Sequence, residues 1–130
     1  MKIGFTCGVF DLFHAGHVLM LKECRANCDY LIVALNKAEH LPKDKNQPVF
    51  TIEERKMIIE SCRFVDEVMV YNSEEELVQI LKSKKIDIRF LGEDYKSKPI
   101  TGNDPGIPIH FIGRGHGYST SALIKKIKNS

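Results

Sequence analysis

The most constraining feature of this chain is the run Asp29-Tyr30-Leu31-Ile32-Val33-Ala34-Leu35. Its apolar residues follow one another without the alternation of a strand that is wetted on one face, so it predicts a strand covered on both sides. Such strands belong to parallel sheets with helices packed on both faces. The run is also the longest apolar one in the chain, and it falls far short of the roughly 18 residues that span a bilayer.

The rest of the chain repeats the strand–helix alternation. Lys2 to Cys7 reads as a strand broken by Gly8, and Val18, Leu21 and Cys24 have helical spacing between about Gly16 and Arg25. Thr51 with Glu54 forms a capping box for a helix over roughly Ile52 to Ser61, Val65 to Val70 is a short strand, and Ser73 caps a helix to about Lys84. Ile86 to Leu91 and Ile109 to Ile112 are the remaining strands, and a helix from about Ser119 to Ile127 closes the chain. This order predicts an α/β fold, a Rossmann-like doubly wound parallel sheet of five main strands flanked by helices, in one domain over residues 1–130. Ligands in that architecture lie beyond the carboxyl ends of the strands, here after Cys7, Leu35, Leu91 and Ile112. The polar, lysine-rich stretch from Asn36 to Val49 reads as a long functional loop.

Composition narrows the class without naming a function. With 130 residues, 43% hydrophobic and 28% charged, the chain is an ordinary soluble domain able to bury a core without staples. A net charge of +2 argues against a nucleic-acid coat or a membrane-surface binder. The start Met1-Lys2-Ile3-Gly4-Phe5 shows no signal peptide. The four cysteines, Cys7, Cys24, Cys28 and Cys62, form no Cys-x-x-Cys pair, and Cys24 and Cys28, four apart on one helical face, read as small buried hydrophobes. A reducing cytoplasm is the expected location.

Two stretches carry chemistry. The first strand leads into Gly8-Val9-Phe10-Asp11-Leu12-Phe13-His14-Ala15-Gly16-His17. The two imidazoles can cap the next helix, hold a metal, or donate hydrogen bonds to phosphate at the helix N-terminus. No third ligand with zinc-like spacing is near, which favours phosphate over metal. After Ile112 comes Gly113-Arg114-Gly115-His116-Gly117-Tyr118-Ser119-Thr120-Ser121. It is an ordinary capped glycine-rich turn or a second phosphate cradle, and its pairing with the first stretch at one sheet edge favours a nucleoside triphosphate.

The first stretch resembles the His-x-Gly-His signature of the nucleotidyltransferases, and Tyr118-Ser119-Thr120-Ser121 resembles the second signature of the cytidylyltransferases. Between them, Ile52-Glu53-Glu54-Arg55-Lys56 and Arg63-Phe64-Val65-Asp66-Glu67-Val68 are similar to that family's Glu-x-Arg helix and Arg-Tyr-Val-Asp-Glu-Val strand. The small bacterial glycerol-3-phosphate cytidylyltransferases match best. The resemblance implies transfer of CMP from CTP to a small alcohol phosphate, with release of pyrophosphate. It also implies Mg2+ bound through the nucleotide phosphates, no metal site on the protein, and a homodimer.

Carried over residue by residue, the resemblance gives His14 and His17 the α-phosphate, and Lys43 or Lys45 the phosphates or the incoming substrate. Gly8, Val9, Phe10, Gly16, Asp94, Arg114, Tyr118, Ser119 and Thr120 would bind the nucleotide. Arg55 would lie under the nucleotide site, Arg63 near the substrate or a dimer contact, and Asp11 would orient the first loop or touch the acceptor. Three departures point elsewhere: Val9 stands where the glycerol enzymes have threonine, the loop Lys96 to Gly106 lacks their tryptophan, and His116 is an additional imidazole. Gly92-Glu93-Asp94-Tyr95-Lys96 and Gly117-Tyr118-Ser119-Thr120 are similar to stretches of the heptose-phosphate adenylyltransferases, which use ATP. The alternatives are therefore an adenylyltransferase acting on a sugar phosphate of the heptose kind, or on a pantetheine-like acceptor, and a silent nucleotide-binding regulator. The last would require damage to His14, His17 or the Ser119-Thr120 pair, and all are intact.

Overall fold

The computed structural model describes residues 1–39, 47–100, 106–113 and 115–130. In chain order the elements are β1 (Ile3–Gly8), α1 (Ala15–Ala26), β2 (Tyr30–Asn36), α2 (Ile52–Glu60), β3 (Glu67–Tyr71), α3 (Glu74–Ser83), β4 (Ile88–Gly92), β5 (Ile109–Ile112) and α4 (Thr120–Lys128). The strands form one 5-stranded sheet in the order β3-β2-β1-β4-β5, and every pairing is parallel. The chain winds outward from β1 to β3, then returns to β4 beside β1. The gap between the outgoing halves opens above the carboxyl ends of β1 and β4, where this topology places ligands.

The β2 run behaves as its composition demands. Leu31, Ile32, Val33, Ala34 and Leu35 are all 0–2% exposed. Strand alternation sends Leu31, Val33 and Leu35 to one layer with Leu21, Cys24 and Ile59 of the helices α1 and α2. It sends Ile32 and Ala34 to the other layer, with Phe5, Tyr71, Leu77 and Leu81. Three carboxylates tie down the strand starts: Asp87 accepts the Ile3 N–H at 2.8 Å, Asp29 that of Lys2 at 2.7 Å, and Asp66 that of Leu31 at 2.8 Å.

The strand expected from Val65 begins at Glu67. Val65 instead closes a turn, donating its N–H to the Cys62 carbonyl, and Asp66 faces Arg25 at 3.0 Å. A short 3-10 turn, Glu93–Tyr95, follows β4 in what read as open loop. Cys24 and Cys28 are buried as expected, and burial raises both thiol pKa values. The sheet is closely packed behind Gly4, where an added Cβ would meet Phe90 Cε2 at 2.6 Å and Cys28 Sγ at 2.8 Å. No described helix is long and apolar enough to cross a membrane.

Candidate active site

The loop from β1 to α1 is held in an unusual shape. Phe10 and Leu12 adopt left-handed backbone, with φ of 53° and 48°, a conformation that costs about 1–3 kcal/mol per non-glycine residue and survives only where neighbours impose it. Those neighbours are visible. Phe10 is buried in the core. The Asp11 carboxylate accepts the N–H groups of Val49 and Phe50 at 2.7 and 2.9 Å. Arg55, 2% exposed, donates to the carbonyls of Val9, Asn36, Lys37 and Phe50. Asp11 thus ties the loop to the segment before α2. Arg55 lies beneath the signature loop, its guanidinium committed to main-chain carbonyls, where it joins the ends of β1 and β2.

The loop delivers two histidines to the start of α1. His14 is the N-cap, and its Nδ1 accepts the Gly16 N–H at 3.0 Å. His17 Nδ1 accepts the His14 N–H at 3.1 Å. A main-chain N–H only donates, so both Nδ1 atoms are unprotonated and the neutral rings carry their proton on Nε2. Burial, and secondarily His116, lower the His14 pKa from its ordinary value. The capping and phosphate readings of this pair are therefore compatible: one ring nitrogen caps the helix and the other can donate outward.

The second stretch meets the first directly. His14 Nε2 lies 3.2 Å from Thr120 Oγ1, across 106 positions of sequence. Ser119 caps α4, its Oγ accepting the Ala122 N–H at 3.0 Å. The close approach depends on Gly16, where a Cβ would sit 2.8 Å from Tyr118 Cβ and 2.9 Å from His14 Cε1. Gly16→Ala is expected to lower kcat/KM roughly 10- to 100-fold by prising the two stretches apart. Steady-state kinetics checks it, and wild-type values would show that the contact is dispensable.

Both stretches open onto one cleft of about 690 Å³, a size suited to a nucleotide and a small partner. Its walls include Gly8, Val9, Phe10, His14, Gly16, His17, Tyr118, Ser119 and Thr120, so nine of the expected site residues converge there. Asp94 and Arg63 do not line it. Tyr95 takes the wall position beside Asp94, while Arg63 lies over the Phe64 ring at 5.0 Å and borders a separate apolar groove with Phe13, Val18 and Leu19. Lys43, Lys45 and Arg114 lie outside the described residues.

The cleft also has a floor that the sequence pattern did not reveal. Cys7, Tyr71 and Arg89 line it. The Cys7 thiol and the Tyr71 phenol lie beside the Arg89 guanidinium, and burial raises the pKa of both the thiol and the phenol. Arg89 is 3% exposed, and the available signal was an arginine inside the apolar strand Ile88–Gly92. Among the described residues, no three His, Cys, Asp or Glu side chains are placed to hold a metal ion. The donors around the cleft suit a magnesium ion carried on phosphate oxygens rather than one caged by the chain.

Comparison with known proteins agrees with this geometry. The family model described as cytidylyltransferase-like matches residues 5–107. The bifunctional protein HldE of Helicobacter pylori (strain G27) is 38% identical over 132 residues, covering 99% of this chain. HldE of Wolinella succinogenes is 36% identical over 131 residues, again covering 99% of this chain. The chain spans only 28% and 27% of the length of these relatives. The crystal structure of the lipopolysaccharide core biosynthesis protein from Thermoplasma volcanium superposes with a TM-score of 0.70 at 26% identity, over 87% of this chain and 95% of that one. A pantothenate synthetase from Thermus thermophilus shares the fold, with a TM-score of 0.58 at 13% identity over 96% of this chain and 64% of its own.

Proposed function

The chain belongs to the cytidylyltransferase-like family, and from that membership we propose that it transfers AMP from ATP to a sugar phosphate of the heptose kind, releasing pyrophosphate. The observation that carries nucleotidyl transfer is the His14–Thr120 contact, which closes both signature stretches around one cleft. ATP and a sugar phosphate are favoured over CTP and glycerol 3-phosphate by the HldE relatives, which match 99% of the chain. The solved lipopolysaccharide core biosynthesis protein supports the same direction.

The likeness of Arg63-to-Val68 to the cytidylyltransferase strand loses weight as an argument for cytidine once the side chains are located. Within Arg63-to-Val68, Asp66 holds Leu31 N–H and Arg25. Glu67 accepts the Tyr30 hydroxyl at 2.9 Å and pairs with Lys84 at 3.2 Å. Arg63 covers Phe64. The stretch stabilises the fold, so its likeness to cytidine enzymes says little about the base.

In the proposed reaction an acceptor phosphate oxygen attacks the α-phosphorus in line. The bond to the bridging oxygen breaks, and its electron pair leaves with pyrophosphate. The acceptor's second pKa is near 6, so it is ionised at neutral pH and requires no general base. The barrier is lowered by donors fixed where charge develops: Nε2–H of His14 and His17, the Thr120 hydroxyl, and the amides at the starts of α1 and α4. Lys43 or Lys45, with Arg114, would add positive charge. Magnesium, bound through the phosphates, would neutralise the leaving group. Tyr71 and Arg89 would receive the acceptor at the cleft floor.

Pyrophosphate release with magnesium, ATP or CTP, and a panel of sugar 1-phosphates and glycerol 3-phosphate tests the reading. Turnover is expected with ATP and a sugar phosphate. Turnover confined to CTP would overturn it, and no release with any pair would favour a binding module.

A further inference from the structure

The two signature histidines are not alone in presenting Nε2 to the cleft. His116 lies in the loop before α4 and lines the same cleft. Its Nδ1 accepts the Tyr118 N–H at 2.9 Å, as His14 Nδ1 accepts that of Gly16 at 3.0 Å and His17 Nδ1 that of His14 at 3.1 Å. In all three, a main-chain N–H two or three residues away fixes the tautomer, and the ring proton sits on Nε2. The Tyr118 ring, 5.4 Å from that of His116 and tilted by 30°, restricts its rotation further. An added Cβ at Gly115 or Gly117 would meet nothing within 4 Å, so room for ligand oxygens remains on either side of the imidazole.

From this shared geometry we propose that His116 is a third phosphate-binding imidazole, which holds the β,γ-phosphates that leave as pyrophosphate. Position decides the end of the triphosphate. His14 and His17 are half-buried at the start of α1, with ring centroids 4.0 Å apart, where the reacting α-phosphate must meet both them and the acceptor. His116 is exposed at the mouth of the cleft, on the side from which a leaving group reaches solvent. His116 donates a hydrogen bond and transfers no proton: the breaking bond is still that between the α-phosphorus and the bridging oxygen. The assignment rests on the nucleotidyltransferase reading above.

Two variants separate a ligand contact from a loop cap. In His116→Asn the short amide can still accept the Tyr118 N–H but cannot reach the position of Nε2. In His116→Gln the longer amide restores a donor near that position. His116 lies outside every helix and strand and is exposed, so both variants are expected to fold. Titration calorimetry with magnesium pyrophosphate, and with AMP as the control lacking the β,γ-phosphates, reads the difference. His116→Asn is expected to weaken pyrophosphate about tenfold, the scale of a hydrogen bond to a charged group, and to leave AMP unchanged; His116→Gln recovers most of the loss. Unchanged pyrophosphate binding in His116→Asn, equal weakening in both variants, or no pyrophosphate binding by the wild type overturns the assignment. The pyrophosphate arm needs neither base nor acceptor, so it is independent of the pyrophosphate-release assay that tests ATP and the sugar phosphate.

Discussion

His17→Ala is expected to lower kcat by about 10²- to 10³-fold while changing the dissociation constant for nucleotide by no more than about threefold. The ring is fixed before any ligand arrives. It stacks on Phe13 with centroids 5.4 Å apart and planes within 6°, and packs against Phe10 at 5.5 Å. Its Nδ1 accepts the His14 N–H, which puts the ring proton on Nε2, where it can donate as charge builds on the α-phosphate. A donor placed in this way acts most strongly on the transition state, where negative charge is greatest. Truncation also removes a capping contact, worth about 1 kcal/mol, so the alanine variant should lose a few degrees of thermal stability. His17→Asn keeps an acceptor for the His14 N–H and should regain that stability while staying as slow as the alanine variant. Single-turnover rates and nucleotide titrations on both variants check this. Equal losses in rate and affinity would mean that His17 binds the ground state and contributes nothing specific to transfer.

The parts of this molecule that were legible in sequence are those set by local pattern. Leu31 to Leu35 announced a strand covered on both faces, and each of its residues is buried accordingly. The His14–His17 spacing and the Ser119–Thr120 pair announced helix starts able to meet phosphate, and both lie on one cleft. What was not legible depends on register between distant strands. Arg89 reaches the cleft floor because β4 pairs with β1 so that Phe5 faces Arg89, and because Tyr71 at the end of β3 comes to lie beside Cys7 of β1. No periodicity within one segment encodes that meeting. The Arg63-to-Val68 stretch misled in the opposite way. Its Arg63 looked available for a substrate, yet it lies over the Phe64 ring, and Asp66 and Glu67 beside it are engaged by Arg25, Tyr30 and Lys84. Residue type showed what those groups could do, and only the packing showed what they are attached to.

Arg55 is where the two readings separate most measurably. Placed in a helix that matches a family signature, it read as an arginine under the nucleotide site, in reach of a ligand. In the fold, Nε donates to Phe50 O at 3.2 Å, Nη1 to Val9 O at 3.0 Å and Asn36 O at 2.6 Å, and Nη2 to Lys37 O at 3.0 Å. These carbonyls belong to the turn before α2, the signature loop and the end of β2. Only a planar fork with donors on all three nitrogens can bind such a set at once. Arg55→Met keeps much of the side-chain volume, removes a buried guanidinium and strands four half-buried acceptors, so it is expected to destabilise the fold by about 3–5 kcal/mol. For a domain of this size that is a fall in Tm of roughly 10–20 °C. Arg55→Lys retains the charge but offers one compact ammonium, and should restore less than half of the loss. Activity should fall through the Val9 carbonyl, because the His14 loop hangs from it, and saturating nucleotide should recover part of the Tm without restoring wild-type kcat. Thermal unfolding with and without ATP, alongside nucleotide titration at a temperature where both variants are folded, measures each quantity. A methionine variant that melts like the wild type but binds nucleotide or acceptor at least tenfold more weakly would return Arg55 to the ligand. A lowered Tm with near-normal affinity in the folded fraction would establish that this arginine builds the site without touching its contents.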